Sequence, residues 1–152
     1  MIAAPPPAGR VLRSLTETEA LAAALAALAR PGDAILLDGP LGAGKSALAR
    51  AFIRHAAGDS ALEVPSPTFT LVQTYDTPRG PVHHYDLWRV DGPAALAELG
   101  WDDAAAGITL VEWPGRLGAL RPADALLVTL RTVPGDDEAR RVTLSGWPGR
   151  LA

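Results

Sequence analysis

Apolar positions recur along the chain in two alternating rhythms. Leu21, Leu25 and Leu28 fall on one face of a helix that Thr16-Glu17-Thr18-Glu19 opens as a capping box and Pro31-Gly32 stops. Residues 34–37 (Ala-Ile-Leu-Leu) are continuously apolar, as in a strand buried on both faces. From residue 45 to about 57 the helical rhythm returns, with Leu48, Phe52 and Ile53 on the buried side. Residues 69–75 and 82–88 read as strands joined by Asp76-Thr77-Pro78-Arg79-Gly80, a connection short enough for an antiparallel hairpin. A short helix over 94–99, a buried strand over 108–112 and a strand pair over 125–131 and 141–145 complete the pattern.

Interleaved helices and strands predict an α/β fold: a mixed sheet with a parallel centre, antiparallel hairpin additions and helices on both faces. The 152 residues form one domain over 11–146 in this reading, between a flexible tail of residues 1–10 and a C-terminal tail of residues 147–152. Pro5-Pro6-Pro7 cannot donate backbone hydrogen bonds, which sets the first tail apart. Trp-Pro-Gly-Arg-Leu occurs twice, at Trp113 and at Trp147, but is too short to announce a repeat architecture.

Composition narrows the chemistry. With no cysteine there is no disulfide framework, thiolate nucleophile or Cys-ligated zinc, and cytoplasm is the default location. The most hydrophobic run, residues 20–29, is too short to span a bilayer, so no membrane association is expected. A formal net charge of −3 argues against tight non-specific binding to a phosphodiester backbone, leaving any nucleic-acid role indirect. Among the 14 basic residues Lys45 is the sole lysine. A compact ammonium reaches between phosphates where a planar guanidinium is wider.

Lys45 stands in Gly39-Pro40-Leu41-Gly42-Ala43-Gly44-Lys45-Ser46, which satisfies G-x-x-x-x-G-K-[ST] between a predicted strand and a predicted helix. The motif makes the sheet P-loop NTPase-like. Gly39, Leu41, Gly42, Ala43, Gly44, Lys45, Ser46 and Ala47 are the expected nucleotide contacts: amides and a helix N-terminus for the phosphates, Lys45 for their charge, and the Ser46 hydroxyl for Mg²⁺.

Such a loop needs a second carboxylate for the metal at the end of a buried strand. Glu112 is the best candidate, with a capping carboxylate as the alternative reading. Asp86 ends another strand on the same face as His84, fit either for a metal or water contact or for a surface ion pair. Thr68, in Ser66-Pro67-Thr68-Phe69, is placed either as a hydroxyl that meets the γ-phosphate or as an ordinary turn threonine. His83 reads as structural, and core packing is the default for Trp88 and Trp113.

In order, Leu41-Gly42-Ala43-Gly44-Lys45-Ser46, Ser66-Pro67-Thr68-Phe69-Thr70-Leu71-Val72, His84-Tyr85-Asp86-Leu87-Trp88-Arg89 and Val111-Glu112-Trp113 make the chain resemble the TsaE (YjeE) P-loop ATPases of bacterial tRNA threonylcarbamoyladenosine synthesis. The resemblance runs from about Thr16 to Leu130. It implies that Lys45 and the loop amides bind ATP, that Ser46 and Glu112 hold Mg²⁺, and that Thr68 and Asp86 complete the catalytic set. It also implies TsaD and TsaB homologues as partners, with tRNA met only indirectly through the complex. Pro40, Ser46 and Trp88 depart from the usual acidic or amide residue, Thr and Tyr, and Gly115 stands before Arg116 without the acidic residue often found there. None of these removes a group the phosphate site needs.

No Gln or Glu is unmistakably placed to orient water and no arginine finger is identifiable, so slow ATP hydrolysis is expected without partners. Two rivals share the loop. A small-molecule kinase needs an Arg-rich lid, whereas the arginines here are scattered; a non-catalytic nucleotide switch would leave Glu112 structural.

Overall fold

The computed structural model describes residues 8–151. Its elements run Ala8–Leu12 (β1), Leu15–Leu28 (α1), Ala34–Asp38 (β2), Lys45–Ala57 (α2), Val72–Thr77 (β3), Gly80–Asp86 (β4), Trp101–Ala104 (α3), Ile108–Glu112 (β5), Leu126–Val133 (β6) and Asp136–Ser145 (β7). Two 3-10 helices, Pro93–Leu99 and Pro114–Leu120, flank α3 and β5. The strands form one sheet in the order β1-β7-β6-β2-β5-β4-β3. β6, β2, β5 and β4 are parallel, while β7, β1 and β3 join antiparallel. The parallel centre and antiparallel additions are those the sequence predicts.

Strand alternation divides the core. On β2, Ile35 and Leu37 pack with Leu21 and Leu25 of α1 and Leu48, Phe52 and Ile53 of α2. Leu36, between them, faces Leu96, Trp101 and Leu117 on the opposite side. The two long helices therefore cover one face and the short helical turns part of the other. Leu48, Phe52 and Ile53 are fully buried, each worth about 1.5–3 kcal/mol relative to exposure. Among the described residues no helix is long and apolar enough to cross a membrane.

Several expectations shift. The cap of α1 is Ser14: its side chain accepts from the Glu17 N–H, and Glu17 Oε1 accepts from the Arg13 N–H at 3.0 Å. Ser14-x-x-Glu17 and Thr16-x-x-Glu19 both fit the capping pattern, and starting at Leu15 puts Thr18 on the buried face, where its hydroxyl donates to the Ser14 carbonyl. Leu28 lies at the rim, exposed. Phe69, expected at the start of a strand, precedes β3 and is 81% exposed. The β3–β4 turn is tight, with Thr77 opposite Gly80.

Residues 8–10 and 147–151, expected in the tails, belong to the folded structure. Residues 8–10 belong to β1, paired with β7, and the expectation for residues 1–7 lies outside the described residues. At the other end, Trp147 is buried in the core beneath α1 and β6. Arg150 donates to Asp33 Oδ1 at 3.1 Å and Oδ2 at 2.7 Å, and also to the Leu28 carbonyl. Its guanidinium stacks 4.0 Å from the Trp147 ring. A buried tryptophan held by a bidentate clamp is a docked segment. The repeated pentapeptide also folds alike twice: Trp113 and Trp147 take left-handed φ of 60° and 51°, and each carbonyl accepts from the arginine three residues on.

Burial raises the Asp33 carboxyl, but hydrogen bonds from Arg150 and the Arg30 backbone and the two guanidinium charges outweigh it and hold it below its ordinary value. A depressed carboxylate contributes stability above its unfolded value of 3.8 that is lost as pH falls through the folded value. Arg150→Ala is therefore expected to cost about 1–3 kcal/mol in urea unfolding at pH 7, and the gap to wild type to narrow below pH 3.8. A gap independent of pH would contradict the Asp33 assignment.

Candidate active site

The C-terminal ends of β2, β4 and β5 converge on one edge, where open α/β sheets take their ligands. β2 runs into the loop of residues 39–44, and α2 begins at Lys45. Gly39 has φ 152°, and a Cβ there would meet the Leu130 carbonyl oxygen at 2.4 Å, so only glycine passes β6 at this point. Gly42 and Gly44 take left-handed φ of 79° and 100°, the local curl from which a concave nest of N–H groups is built.

A cleft of about 280 Å³ opens beside the loop, lined by Leu41, Gly42, Gly44, Lys45, Ser46, Ala47, Ser66, Thr68, Asp86, Glu112 and Trp113. The structure thus brings the four proposed catalytic residues and most of the loop contacts to one cleft. Gly39 and Ala43 do not line it. Ala43 is fully buried below the loop, and the Gly39 carbonyl accepts from Lys45 Nζ.

Register fixes the carboxylates. Asp86 pairs with Glu112 across β4 and β5, so the two acids stand side by side, 5% and 2% exposed. Glu112 Oε1 accepts from Ser46 Oγ at 3.0 Å, a link spanning 66 positions of sequence. Asp86 Oδ1 accepts from the Trp88 N–H at 3.0 Å and Oδ2 from Thr68 Oγ1 at 3.1 Å. Because Thr68 spends its hydroxyl proton on Asp86, the 2.8 Å contact with Ser66 has Ser66 as donor. Ser66, Thr68 and Asp86 form a directed chain along the cleft wall.

Lys45 is 5% exposed, with its ammonium 3.3 Å from the centre of the Trp113 ring. Burial pushes its pKa below the ordinary value, against the opposing charges of Glu112, Asp38 and Asp86; Arg131 lowers it further. Trp113 is therefore a wall of the site as well as a half-buried residue packed against the core. Trp88, also expected in the core, is 42% exposed and packs 4.4 Å from Trp113 between ring centroids. Two further contacts escape the sequence reading. Buried His84 meets Glu112 Oε2 at 2.7 Å, and Arg140 reaches from β7 to donate to the Gly42 carbonyl at 3.1 Å. Strand alternation did put His84 on the face of Asp86; for Arg140, 98 positions from Gly42, no local signal exists.

The donor set suits Mg²⁺ with nucleotide phosphates. A hydroxyl and an adjacent carboxylate are hard oxygen ligands, and Mg²⁺ at such sites takes one or two protein groups and completes its shell with phosphate and water. Among the described residues no three His, Cys, Asp or Glu gather as an all-protein metal cage would require.

Comparisons with known proteins identify the family. A family model described as "Threonylcarbamoyl adenosine biosynthesis protein TsaE" matches residues 12–142. A tRNA threonylcarbamoyladenosine biosynthesis protein TsaE of Rickettsia bellii is 38% identical over 122 residues, 80% of this chain and 84% of the relative. Its Rickettsia prowazekii counterpart is 41% identical over 123 residues, 80% and 85% of the two chains. The crystal structure of Bacillus subtilis YdiB superposes with a TM-score of 0.72 at 29% identity, covering 91% of this chain and 84% of that one. By the extent of the family match and the identity to these relatives, the chain belongs to the TsaE family.

Proposed function

We propose that this protein binds ATP with Mg²⁺ and hydrolyses it slowly, as the ATPase of an assembly with TsaD and TsaB homologues. That assembly places a threonylcarbamoyl group on the adenosine beside the tRNA anticodon, with tRNA contacted only through the complex. The observation that carries the reading is the Ser46–Glu112 hydrogen bond at the mouth of the glycine loop. It joins the two expected metal ligands beside Lys45, from elements distant in sequence. Membership of the TsaE family supports the pathway.

Each residue has a task that follows from its position. The loop amides and the N-terminus of α2 receive phosphate oxygens, and Lys45 compensates their charge. Ser46 and Glu112 would hold Mg²⁺, which when bound neutralises charge on the β and γ oxygens. Asp86 fixes the Thr68 hydroxyl, and Ser66 fixes Thr68 in turn, so the cleft wall presents an oriented oxygen. Among the described residues no arginine lines the cleft. Charge that develops as the γ-phosphoryl leaves is thus met by Lys45, the loop amides and the cation, with no guanidinium to add to them, which supports slow turnover and a role for partner contacts.

ATP hydrolysis with Mg²⁺ is expected to stay well below about 10 s⁻¹ for the isolated protein, to change on adding TsaB, TsaD and tRNA, and to fall on the order of 100-fold or more in Lys45→Ala. Phosphate transfer to a metabolite with no response to those partners would overturn the pathway and leave the loop. Thr68→Val is expected to lower kcat by about tenfold or more while shifting ADP affinity far less. A loss of ADP affinity with kcat unchanged would make Thr68 a binding residue only.

A further inference from the structure

We propose that His84 is a positioning residue for the divalent-cation site, acting through Glu112; this rests on the reading of Ser46 and Glu112 as its ligands. His84 lies on β4 two residues before Asp86, in register with Leu110, and so reaches diagonally to the last residue of β5. Its ring is 1% exposed, and Nε2 meets Glu112 Oε2 at 2.7 Å. Nδ1 is buried and has no partner among the described residues. With a carboxylate at Nε2, that nitrogen is the one that donates. The ring's one hydrogen bond is spent on Glu112.

That bond completes the carboxylate. Oε1 accepts from Ser46 and Oε2 from His84, so the plane of the group is set by two donors from two different elements, α2 and β4. The terminal torsion of a glutamate is otherwise broad, and a buried Oε2 with no donor carries an uncompensated desolvation penalty. Partners of this kind behind ligating carboxylates typically alter metal affinity or activity by about 10–100-fold when removed. His83 cannot substitute: alternation turns it to the other face, where Nδ1 meets Thr74 Oγ1 at 3.0 Å.

The test uses the full chain and fluorescent N-methylanthraniloyl-ADP, titrated with Mg²⁺ and, separately, bound in EDTA. His84→Leu is expected to raise the Mg²⁺ concentration for half-maximal effect by about 10–100-fold, while binding in EDTA stays close to wild type. His84→Gln, whose amide nitrogen can occupy the place of Nε2, is expected to recover most of the loss. His83→Gln is expected to match wild type. If His84→Leu does not fold, His84→Asn, too short to reach Oε2, takes its place against His84→Gln in the same comparison. Melting of each variant without nucleotide separates the two roles: a purely structural histidine lowers stability and leaves the Mg²⁺ midpoint unmoved. That result, with a wild type that responds to Mg²⁺, overturns the inference alone. A wild type whose nucleotide binding ignores Mg²⁺ overturns the cation site itself and this inference with it.

Discussion

Asp86 and Glu112 stand opposite each other at the ends of adjacent parallel strands, buried and in register. Like charges so placed repel, and each buried carboxylate needs donors or a cation to offset the hydration it has lost. Much of the site can be read as the answer to that requirement. Ser46 and His84 donate to Glu112, Thr68 and the Trp88 amide donate to Asp86, and Lys45 supplies a positive charge that both acids attract. A divalent cation is the natural complement to a pair of acids compensated by a single ammonium.

The fold serves this constraint by ordinary means. Parallel strands start each chain segment at the same edge and deliver their last residues to the other, so Asp38, Asp86 and Glu112 arrive together without any local sequence relation. The glycine loop can pass so close to β6 only because Gly39 lacks a side chain, and Arg140 on β7 braces its crest at Gly42. Lys45 is held between the Gly39 carbonyl and the Trp113 face, which ties the loop to the end of β5. The outer strand β7 thus braces the loop through Arg140 while the parallel centre carries the acids.

What was legible in the sequence follows the range of the forces involved. The phosphate loop, α2, β2 and β5 could be read because local spacing, glycine placement and continuous apolar runs decide them. The convergence of Lys45, Ser46, Thr68, Asp86 and Glu112 on one cleft followed from strand ends and from the motif blocks that resemble the TsaE family. β1 was missed because residues 8–12 become a strand only by pairing with β7, more than 120 positions away. Trp147 and Arg150 were assigned to a tail because nothing local marks the Asp33 clamp. Core packing is the default for Trp88 and Trp113, yet Trp88 is exposed and stacks on Trp113, and Trp113 is half-buried between the core and Lys45.

The most direct measurement is the position of a divalent cation. Crystals grown with Mn²⁺ in place of Mg²⁺ and a non-hydrolysable ATP analogue would locate the metal by its anomalous scattering. One site is expected, with Ser46 Oγ and nucleotide phosphate oxygens as direct ligands and Glu112 in contact directly or through one water. Metal and phosphates bound away from the 39–46 loop, or a metal with no contact to Ser46 or Glu112, would contradict it.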